Sequence, residues 1–340
     1  MKKVFPLFLC LTLLLSGCAR RPAQKTIAAM DTVMTLTAYG SNAQAGVDAA
    51  EAAINRLNTL LSTNADNSEV WAIDHSGGAP VAVSDDTAAL LAEALRLGQQ
   101  TDGALDVSVY PVVRAWGFTT DHYQVPGQAE LAALLPLVDY SAIDFDAAAQ
   151  TVTLPAGMEL DFGAIGKGYA GEQAAAAMRE AGVTSAAMDL GGNVQTVGSK
   201  PDGSPWRVAV KDPRRDAGTE DYVGTVDVSD RAVVTSGGYE RYFEADGQTY
   251  WHIIDPATGA PARSGLVSVT IVGRSGAECD GLSTALFILG REKALDYWRQ
   301  YGGFDAILVD EDDQVWVTGG LKDAFSLTKG GAFTLRLVEE

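Results

Sequence analysis

The sequence predicts an α+β fold with mixed, largely antiparallel sheets and flanking helices. Strand-like and helix-like segments are interspersed along the chain, without the regular strand–helix–strand alternation that builds a parallel sheet. Residues 31–39 alternate like a half-buried strand, whereas residues 43–61 and 85–100 carry apolar side chains at helical spacing. The length of 340 residues is sufficient for one large domain or two intimate ones with a full core.

The remaining elements follow the same two periodicities. The predicted helices cover residues 43–61, 68–74, 85–100, 128–135 and 170–181, and a segment around Asp280 that ends at Gly290. The predicted strands cover residues 31–39, 80–83, two or three stretches within 140–160, 186–190, 206–210, 223–230, 232–235, 266–272, 304–309, 314–318 and 332–338. The polar residues 119–127 are expected to form a loop.

The N-terminus has the features of a targeting signal. Lys2 and Lys3 precede an apolar run over residues 4–15, which is too short to span a bilayer. The tetrad that ends at Cys18 resembles a bacterial lipoprotein signal, in which the cysteine is lipidated; the alternative is an ordinary secretory peptide. We therefore expect residues 1–17 to be a signal peptide, residues 18–29 a lipidated tether and residues 30–340 the functional domain, held at the extracytoplasmic face of the cell membrane.

Charge and cysteine usage narrow the classes of protein. A formal net charge of −19 argues against nucleic acid as a partner, because phosphate backbones are bound by an excess of Lys and Arg. An anionic substrate would need local help from a metal ion or from backbone N–H groups. Cys10 leaves with the signal and Cys18 would be acylated, so Cys279 has no partner within the chain and the fold must hold without disulfides.

His252 is a candidate functional residue, because it sits where an aromatic and apolar run breaks into the turn Asp255-Pro256-Ala257-Thr258-Gly259. A titratable imidazole at a strand end suits proton transfer. The alternative is a half-buried histidine that is hydrogen-bonded to a turn carbonyl.

Asp280 and Thr284 are four residues apart at the start of an apolar helical pattern, so their oxygens lie on one face of that helix. A carboxylate and a hydroxyl placed in this way are hard-oxygen ligands for Mg²⁺, which keeps other positions for phosphates and water. The alternative is an N-capping aspartate with a threonine bonded back to the preceding turn.

The glycine-rich segment from Asp161 to Tyr169 enters the predicted helix 170–181. It matches neither a Walker A loop nor a dinucleotide fingerprint. It fits an anion cradle at a helix N-terminus and a tight packing turn equally well. Two further glycine pairs, Gly191-Gly192 and Gly237-Gly238, follow strands and mark backbone that turns sharply or approaches something closely.

These motifs together resemble the ApbE family, membrane-anchored flavin transferases that move FMN from FAD onto a Thr or Ser of a target protein. The resemblance runs from about Met30 to Gly290. The segments that carry it are Gly103-Ala104-Leu105-Asp106 with Trp116-Gly117-Phe118, the Asp161 to Ala170 segment, Gly191-Gly192-Asn193, Ser236-Gly237, His252 to Gly259, and Asp280 to Thr284. An ApbE-like, T-fold-like architecture is implied.

The resemblance also implies roles for individual residues. Mg²⁺ is expected at the carbonyl of Ala164 and the side chains of Asp280 and Thr284. His252 is expected to act as general base toward the acceptor hydroxyl, for which a pKa near ambient pH is apt. The 163–168 turn is expected to cradle phosphate. The residues expected to bind FAD are Met30, Asn64, Ala104, Leu105, Asp106, Lys167, Ala170 and Ile253.

One departure from the family bears on the reaction. Asn64 stands where the family often has an aromatic residue that stacks on the flavin dinucleotide, a contact worth about 0.5–1.5 kcal/mol. A weaker grip favours hydrolysis of FAD to FMN and AMP, so FAD pyrophosphatase is an alternative function; a non-catalytic flavin-binding lipoprotein is a third. The expected partner is a separate extracytoplasmic FMN-acceptor protein of the redox-complex subunit type.

Overall fold

The computed structural model describes residues 22–120, 122–214, 217–218, 221–329 and 331–339. The predicted signal peptide and Cys18 lie outside these residues. Within them, no helix combines the length and the apolar character that crossing a membrane requires.

Helices and strands alternate irregularly along the chain, as the sequence predicts. The α-helices are α1 (Ala43–Leu60), α2 (Glu69–Asp74), α3 (Asp85–Gln100), α4 (Tyr110–Ala115), α5 (Gln128–Leu134), α6 (Gly166–Glu180), α7 (Gly276–Leu289) and α8 (Arg291–Tyr301). The strands are β1 (Ala23–Ala29), β2 (Thr32–Ala38), β3 (Val81–Ala82), β4 (Asp144–Asp146), β5 (Thr151–Thr153), β6 (Ala186–Asp189), β7 (Val194–Val197), β8 (Trp206–Lys211), β9 (Tyr222–Val228), β10 (Ala232–Gly237), β11 (Tyr242–Ala245), β12 (Gln248–Trp251), β13 (Ile254–Asp255), β14 (Ala260–Pro261), β15 (Leu266–Gly273), β16 (Asp305–Asp310), β17 (Gln314–Thr318), β18 (Phe325–Leu327) and β19 (Thr334–Val338).

In the part of the chain that the structure describes, a nine-stranded sheet of order β1-β2-β6-β7-β10-β15-β16-β17-β19 forms the middle layer. Its pairs are antiparallel except β17–β19, which confirms the predicted mixed, largely antiparallel fold. Strand alternation sends Leu308 into the core under the helices and Val309 into a second core under the β18-β9-β8 sheet. The fold therefore has three layers: helices, large sheet and small sheet.

The predicted tether is wrong over residues 23–29. These residues form β1, which pairs with β2 along its whole length through a two-residue turn at Met30 and Asp31. Both turn residues have positive φ, 49° and 57°, and the Met30 amide donates to Asn58 Oδ1 at 2.7 Å. Such turns normally use Asn-Gly or Asp-Gly, so the sequence carries no signal for this hairpin.

Candidate active site

A cavity of about 750 Å³ opens between the first turns of α6 and α7 on one side and the β11–β12 hairpin on the other. It collects all of the predicted site residues except Ala170. Those that line it are Met30, Asn64, Ala104, Leu105, Asp106, Ala164, Lys167, His252, Ile253, Asp280 and Thr284.

Two of the predicted FAD-binding residues have other surroundings than expected. Ala170 is completely buried in the core on α6 and does not line the cavity. Asp106 does line it, but its carboxylate accepts hydrogen bonds from the Ser108 amide at 2.8 Å, the Ser108 hydroxyl at 2.6 Å and the Tyr140 amide at 3.0 Å. The Asp106 side chain therefore fixes the loop beneath the cavity.

Close contact between α6 and α7 sets the position of Asp280. A Cβ at Gly168 would lie 2.0 Å from the Gly276 carbonyl oxygen, and one at Gly276 would lie 2.2 Å from that of Gly168. Only glycine allows two helix backbones to come this near. In this segment the structure therefore favours the packing interpretation.

The amides of the glycine-rich turn are already used within the protein. The Gly163 amide donates to Asp161 Oδ1 at 2.8 Å, Gly166 to the Phe162 carbonyl at 2.7 Å and Gly168 to Asp280 Oδ2 at 2.8 Å. A phosphate cradle needs unoccupied N–H groups. The expected cradle over residues 163–168 is therefore wrong at these three amides, and Lys167, which lines the cavity, is the element of this turn that can meet a phosphate.

Asp280 lies inside α7 and is 4% exposed. The helix is capped by Ser275, whose side chain accepts from the Glu278 amide, so Asp280 is not an N-cap. Besides the bond from Gly168, its Oδ1 accepts from Asn193 Nδ2 at 3.0 Å. Burial raises the pKa of Asp280, while the Lys167 charge and these hydrogen bonds oppose the rise. A bound cation would favour the carboxylate form further.

The other two expected metal ligands are also held in the cavity. Thr284 Oγ1 lies 3.2 Å from Ser236 Oγ, which in turn is 2.7 Å from Ser283 Oγ. The Ala164 carbonyl accepts no hydrogen bond from the described residues, because the Gly168 amide, four residues on, donates to Asp280 instead. The helix thus leaves one carbonyl oxygen available where it begins.

These three groups fit a hard divalent cation. A carboxylate, a hydroxyl and a carbonyl oxygen form a Mg²⁺-type donor set that leaves positions for substrate oxygens. Among the described residues no cluster of three or more His, Cys, Asp or Glu side chains could hold a metal ion. A cation here would therefore depend on main-chain, hydroxyl and substrate oxygens in addition to Asp280.

His252 faces the same cavity from the hairpin. Its Nδ1 lies 3.1 Å from the Arg241 carbonyl oxygen. A carbonyl can only accept, so Nδ1 carries the proton and Nε2 is left as the basic nitrogen. The ring stands edge-on to Phe118, with centroids 6.3 Å apart. His252 is therefore hydrogen-bonded to a main-chain carbonyl, as the alternative interpretation of the sequence expects, and it also lines the cavity.

The pKa of His252 lies below the near-ambient value that suits a general base. Burial lowers the pKa to about 4, and the Arg241 and Lys167 charges act in the same direction against the hydrogen bond to Arg241. The imidazole is therefore neutral and able to accept a proton at physiological pH. An anionic substrate beside it would raise its basicity.

Sequence reasoning assigned no role to several residues of the cavity. Asn193 and Ser236 were recognised as parts of strand-end motifs, and the structure shows that they orient Asp280 and Thr284. Lys211 and Arg241 add positive charge to the lining, and Glu240 adds a carboxylate. The sequence signal that could have identified Asn193 and Ser236 as cavity residues is their position at the ends of successive strands. Lys211 comes from the separate small sheet, and no sequence signal placed it at the cavity.

An α+β fold whose cavity sets oxygen donors for a divalent ion opposite a neutral imidazole has the parts of a metal-assisted group-transfer site. The chain belongs to the ApbE family, whose family model matches residues 30–308.

Relatives and solved structures agree with this placement. The FAD:protein FMN transferase of Treponema pallidum is 34% identical over 320 residues, covering 90% of this chain and 83% of its own. That of Salmonella typhimurium is 32% identical over 323 residues, covering 89% and 91%. The crystal structure of the ApbE protein from Thermotoga maritima superposes with a TM-score of 0.79 at 29% identity, covering 91% of this chain and 97% of that one. The apo flavinyl transferase ApbE of Pseudomonas stutzeri gives 0.75 at 28% identity, covering 92% and 95%.

Proposed function

We propose that this protein is an FAD:protein FMN transferase, which transfers the FMN part of FAD onto a Ser or Thr hydroxyl of an acceptor protein and releases AMP. The observation that carries the proposal is that Ala164, Asp280 and Thr284 share one cavity with His252. The curated relatives bear the same activity in their names. A non-catalytic flavin binder would need neither the oxygen donors nor the imidazole.

The reaction balances with groups on this chain. The acceptor hydroxyl oxygen forms a bond to the FMN-side phosphorus of FAD, and the bond from that phosphorus to the bridging oxygen breaks. The hydroxyl proton passes to His252 Nε2, and AMP leaves with the bridging oxygen. Lys167 offsets phosphate charge inside the cavity.

Mg²⁺ is the cation that the donor set suits best, held by the Ala164 carbonyl, Asp280 and Thr284. When bound it would neutralise charge on the diphosphate oxygens. Asn193 and Ser236 contact the two side-chain donors and orient them.

A specific observation favours a second activity. Asn64 lines the cavity where the resemblance expects an aromatic ring. With less surface stacked on the dinucleotide, water can replace the acceptor hydroxyl, and the enzyme then releases FMN and AMP from FAD. We include this pyrophosphatase activity in the proposal as a side reaction of the same site.

One experiment separates these functions. The purified protein is incubated with FAD and Mg²⁺, with or without the protein substrate of the Salmonella typhimurium transferase, and AMP and acceptor-bound FMN are quantified. FMN attached to the acceptor supports the transferase. AMP released at the same rate with no FMN attached supports a hydrolase alone, and absence of AMP in both reactions contradicts both enzyme functions. EDTA is expected to stop either reaction.

The place of action is also part of the proposal. We propose a lipid anchor on the extracytoplasmic membrane face and an acceptor in the same compartment. The tetrad that ends at Cys18 supports this proposal. Expression of the full precursor with Cys18→Ala is expected to move the protein from the membrane fraction to the soluble fraction. Retention of that variant in the membrane would contradict the anchor.

A further inference from the structure

A second cavity, of about 510 Å³, lies along the other face of the β11–β12 hairpin. Thr249 and Trp251 of β12 form one wall, and Leu266 and Val267 at the start of β15 form the opposite wall. Trp251 is the residue before His252, and successive side chains of a strand point to opposite faces. The hairpin therefore separates this cavity from the active site by the thickness of one strand.

Hydrogen-bonded and non-bonded residue pairs alternate along an antiparallel hairpin, and this alternation shows which way the main-chain groups of Trp251 point. The His252 amide donates to the Arg241 carbonyl at 3.1 Å, so Arg241 and His252 are a hydrogen-bonded pair. The next pair in register, Tyr242 with Trp251, is consequently a non-bonded pair. The N–H and C=O of Trp251 point away from β11, toward the outer edge of the hairpin.

These groups lack partners. Neither main-chain group of Trp251 is hydrogen-bonded to any of the described residues, and the buried indole Nε1 is unpartnered as well. Further along this edge the chain pairs with itself again, because the Ala262 amide donates to the Ile253 carbonyl at 2.9 Å. Buried hydrogen-bonding groups are nearly always paired in native proteins, so the unpartnered indole indicates a missing partner. The two main-chain groups of the same residue leave this step of the strand edge unpaired.

The same edge already accepts a donor from outside the hairpin. Arg263 Nη2 donates to the Thr249 carbonyl at 2.8 Å, while the guanidinium lies 4.8 Å from the centroid of the Trp251 indole. On the opposite wall, Val267 falls at an irregularity in the β15–β16 pairing, between Leu266 and Ser268. The cavity thus has a strand edge on one side and an apolar side chain on the other.

We infer that an extended segment of the acceptor polypeptide adds to this edge as a strand, pairing with the main chain of Trp251 and placing a side chain in the cavity against Val267. Strand edges recognise polypeptide through main-chain bonds and gain specificity from pockets for alternate side chains. A segment seated at Trp251 has its neighbouring residues within side-chain reach of His252, since consecutive Cα atoms are about 3.8 Å apart. The inference rests on the proposed transferase function, because only that function requires a polypeptide at the site.

Hydrogen exchange tests the strand addition without reference to turnover. The Trp251 amide is expected to exchange rapidly in the protein alone and with FAD, and to become protected when the protein substrate of the Salmonella typhimurium transferase is added. The Tyr250 amide, which faces β11, serves as an internal control and should be protected throughout. Unchanged exchange at Trp251 under saturating acceptor overturns the inference. Protection that depends on enzyme concentration without acceptor would assign the edge to a second copy of this chain, and also overturns it.

A cavity-filling variant tests whether a side chain of the acceptor occupies the second cavity. Val267→Trp is expected to raise the KM for the acceptor about tenfold or more, the value of two lost hydrogen bonds, while FAD cleavage in the absence of acceptor is unchanged. Val267→Ala is the matched control and should keep the wild-type acceptor KM within about twofold. A wild-type KM in Val267→Trp overturns the docking inference but leaves the transferase proposal intact. If the wild-type protein neither bound nor cleaved FAD, the proposed function itself would be contradicted.

Discussion

The two walls of the active-site cavity hold their functional side chains in different ways. On the helix wall, α6 and α7 touch backbone to backbone at Gly168 and Gly276, and Asp280 is fixed by Gly168 and Asn193. On the hairpin wall, His252 directly follows β12 of the two-stranded β11–β12 sheet, and its Nδ1 is held by one carbonyl oxygen. Asp280, the proposed cation ligand, is therefore held by hydrogen bonds within the protein, whereas the proposed base sits on a separate small element.

This difference matches what each wall has to do. Stabilising charge on a diphosphate depends on donors that need no reorganisation. Accepting a proton from an incoming polypeptide depends on a base that the substrate can approach. On the face of the hairpin that carries His252, the rings of Phe243 and Tyr250 stack with that of Tyr123, with successive ring centroids 5.3 Å apart.

The sharpest test of the helix wall removes its charge and keeps its shape. Asp280→Asn is expected to lower FMN transfer by about 10⁴-fold, because a metal ion supplies several kcal/mol of transition-state stabilisation. Mg²⁺ binding, measured by calorimetry in the presence of FAD, should be lost as well. Asp146→Asn, on the distant β4–β5 hairpin, is the control and should behave as wild type. Wild-type Mg²⁺ affinity in Asp280→Asn would rule out the metal assignment.

The hairpin wall is tested by removing the imidazole. His252→Ala is expected to lower FMN transfer by roughly 10²- to 10³-fold, the usual value of a general base. Because the donors for the diphosphate lie on the other wall, FAD affinity measured by flavin fluorescence should change little. Equal transfer rates in the variant and the wild type would refute the base assignment.

Backbone contact makes the helix wall sensitive to a single methyl group. Gly168→Ala is expected to destabilise the fold by about 2–3 kcal/mol, since the new Cβ would overlap the Gly276 carbonyl and the helices would have to separate. Gly166→Ala is the matched control: its Cβ would meet Leu61 and Phe162 at ordinary distances of 3.6 and 3.7 Å, so the variant should be neutral or slightly more stable. Urea unfolding measures both. Equal stability of the two variants would contradict the account of the helix crossing.

The pH dependence tests how burial acts on the hairpin wall. With the pKa of His252 lowered to about 4, kcat/KM for FAD in the transfer reaction should be flat from pH 8 to about pH 5 and fall tenfold per pH unit below about 4. An acid limb centred near 6.5 would show that burial does not perturb the imidazole. The unfolded chain binds this proton more tightly, so stability also declines as pH falls from 6.5 toward 4. Circular dichroism at each pH therefore accompanies the rates.

The sequence was informative about the helix wall and poor about the hairpin wall, for physical reasons. Helical spacing alone places Asp280 and Thr284 on one face, and both residues line the cavity. The packing that positions them could not be derived, because Gly168 and Gly276 are more than a hundred residues apart. The lowered pKa of His252 could not be derived for the same reason, since it is set by burial and by Arg241 and Lys167. Strand β1 was missed because its turn uses Met30 and Asp31.

The smallest expected effect concerns the surface that Asn64 presents to the cavity. Phe118 lines the cavity beside His252, whereas Asn64, in the loop that follows α1 on the helix side, offers an amide. Asn64→Tyr is expected to tighten FAD binding by about 3- to 10-fold, the equivalent of one stacking contact, and to slow the release of AMP without acceptor by a similar factor. Flavin fluorescence titration and AMP quantification measure the two effects, with Asn64→Gln as the control that adds length without a ring. Tighter binding in both variants would show that size and not stacking limits the affinity.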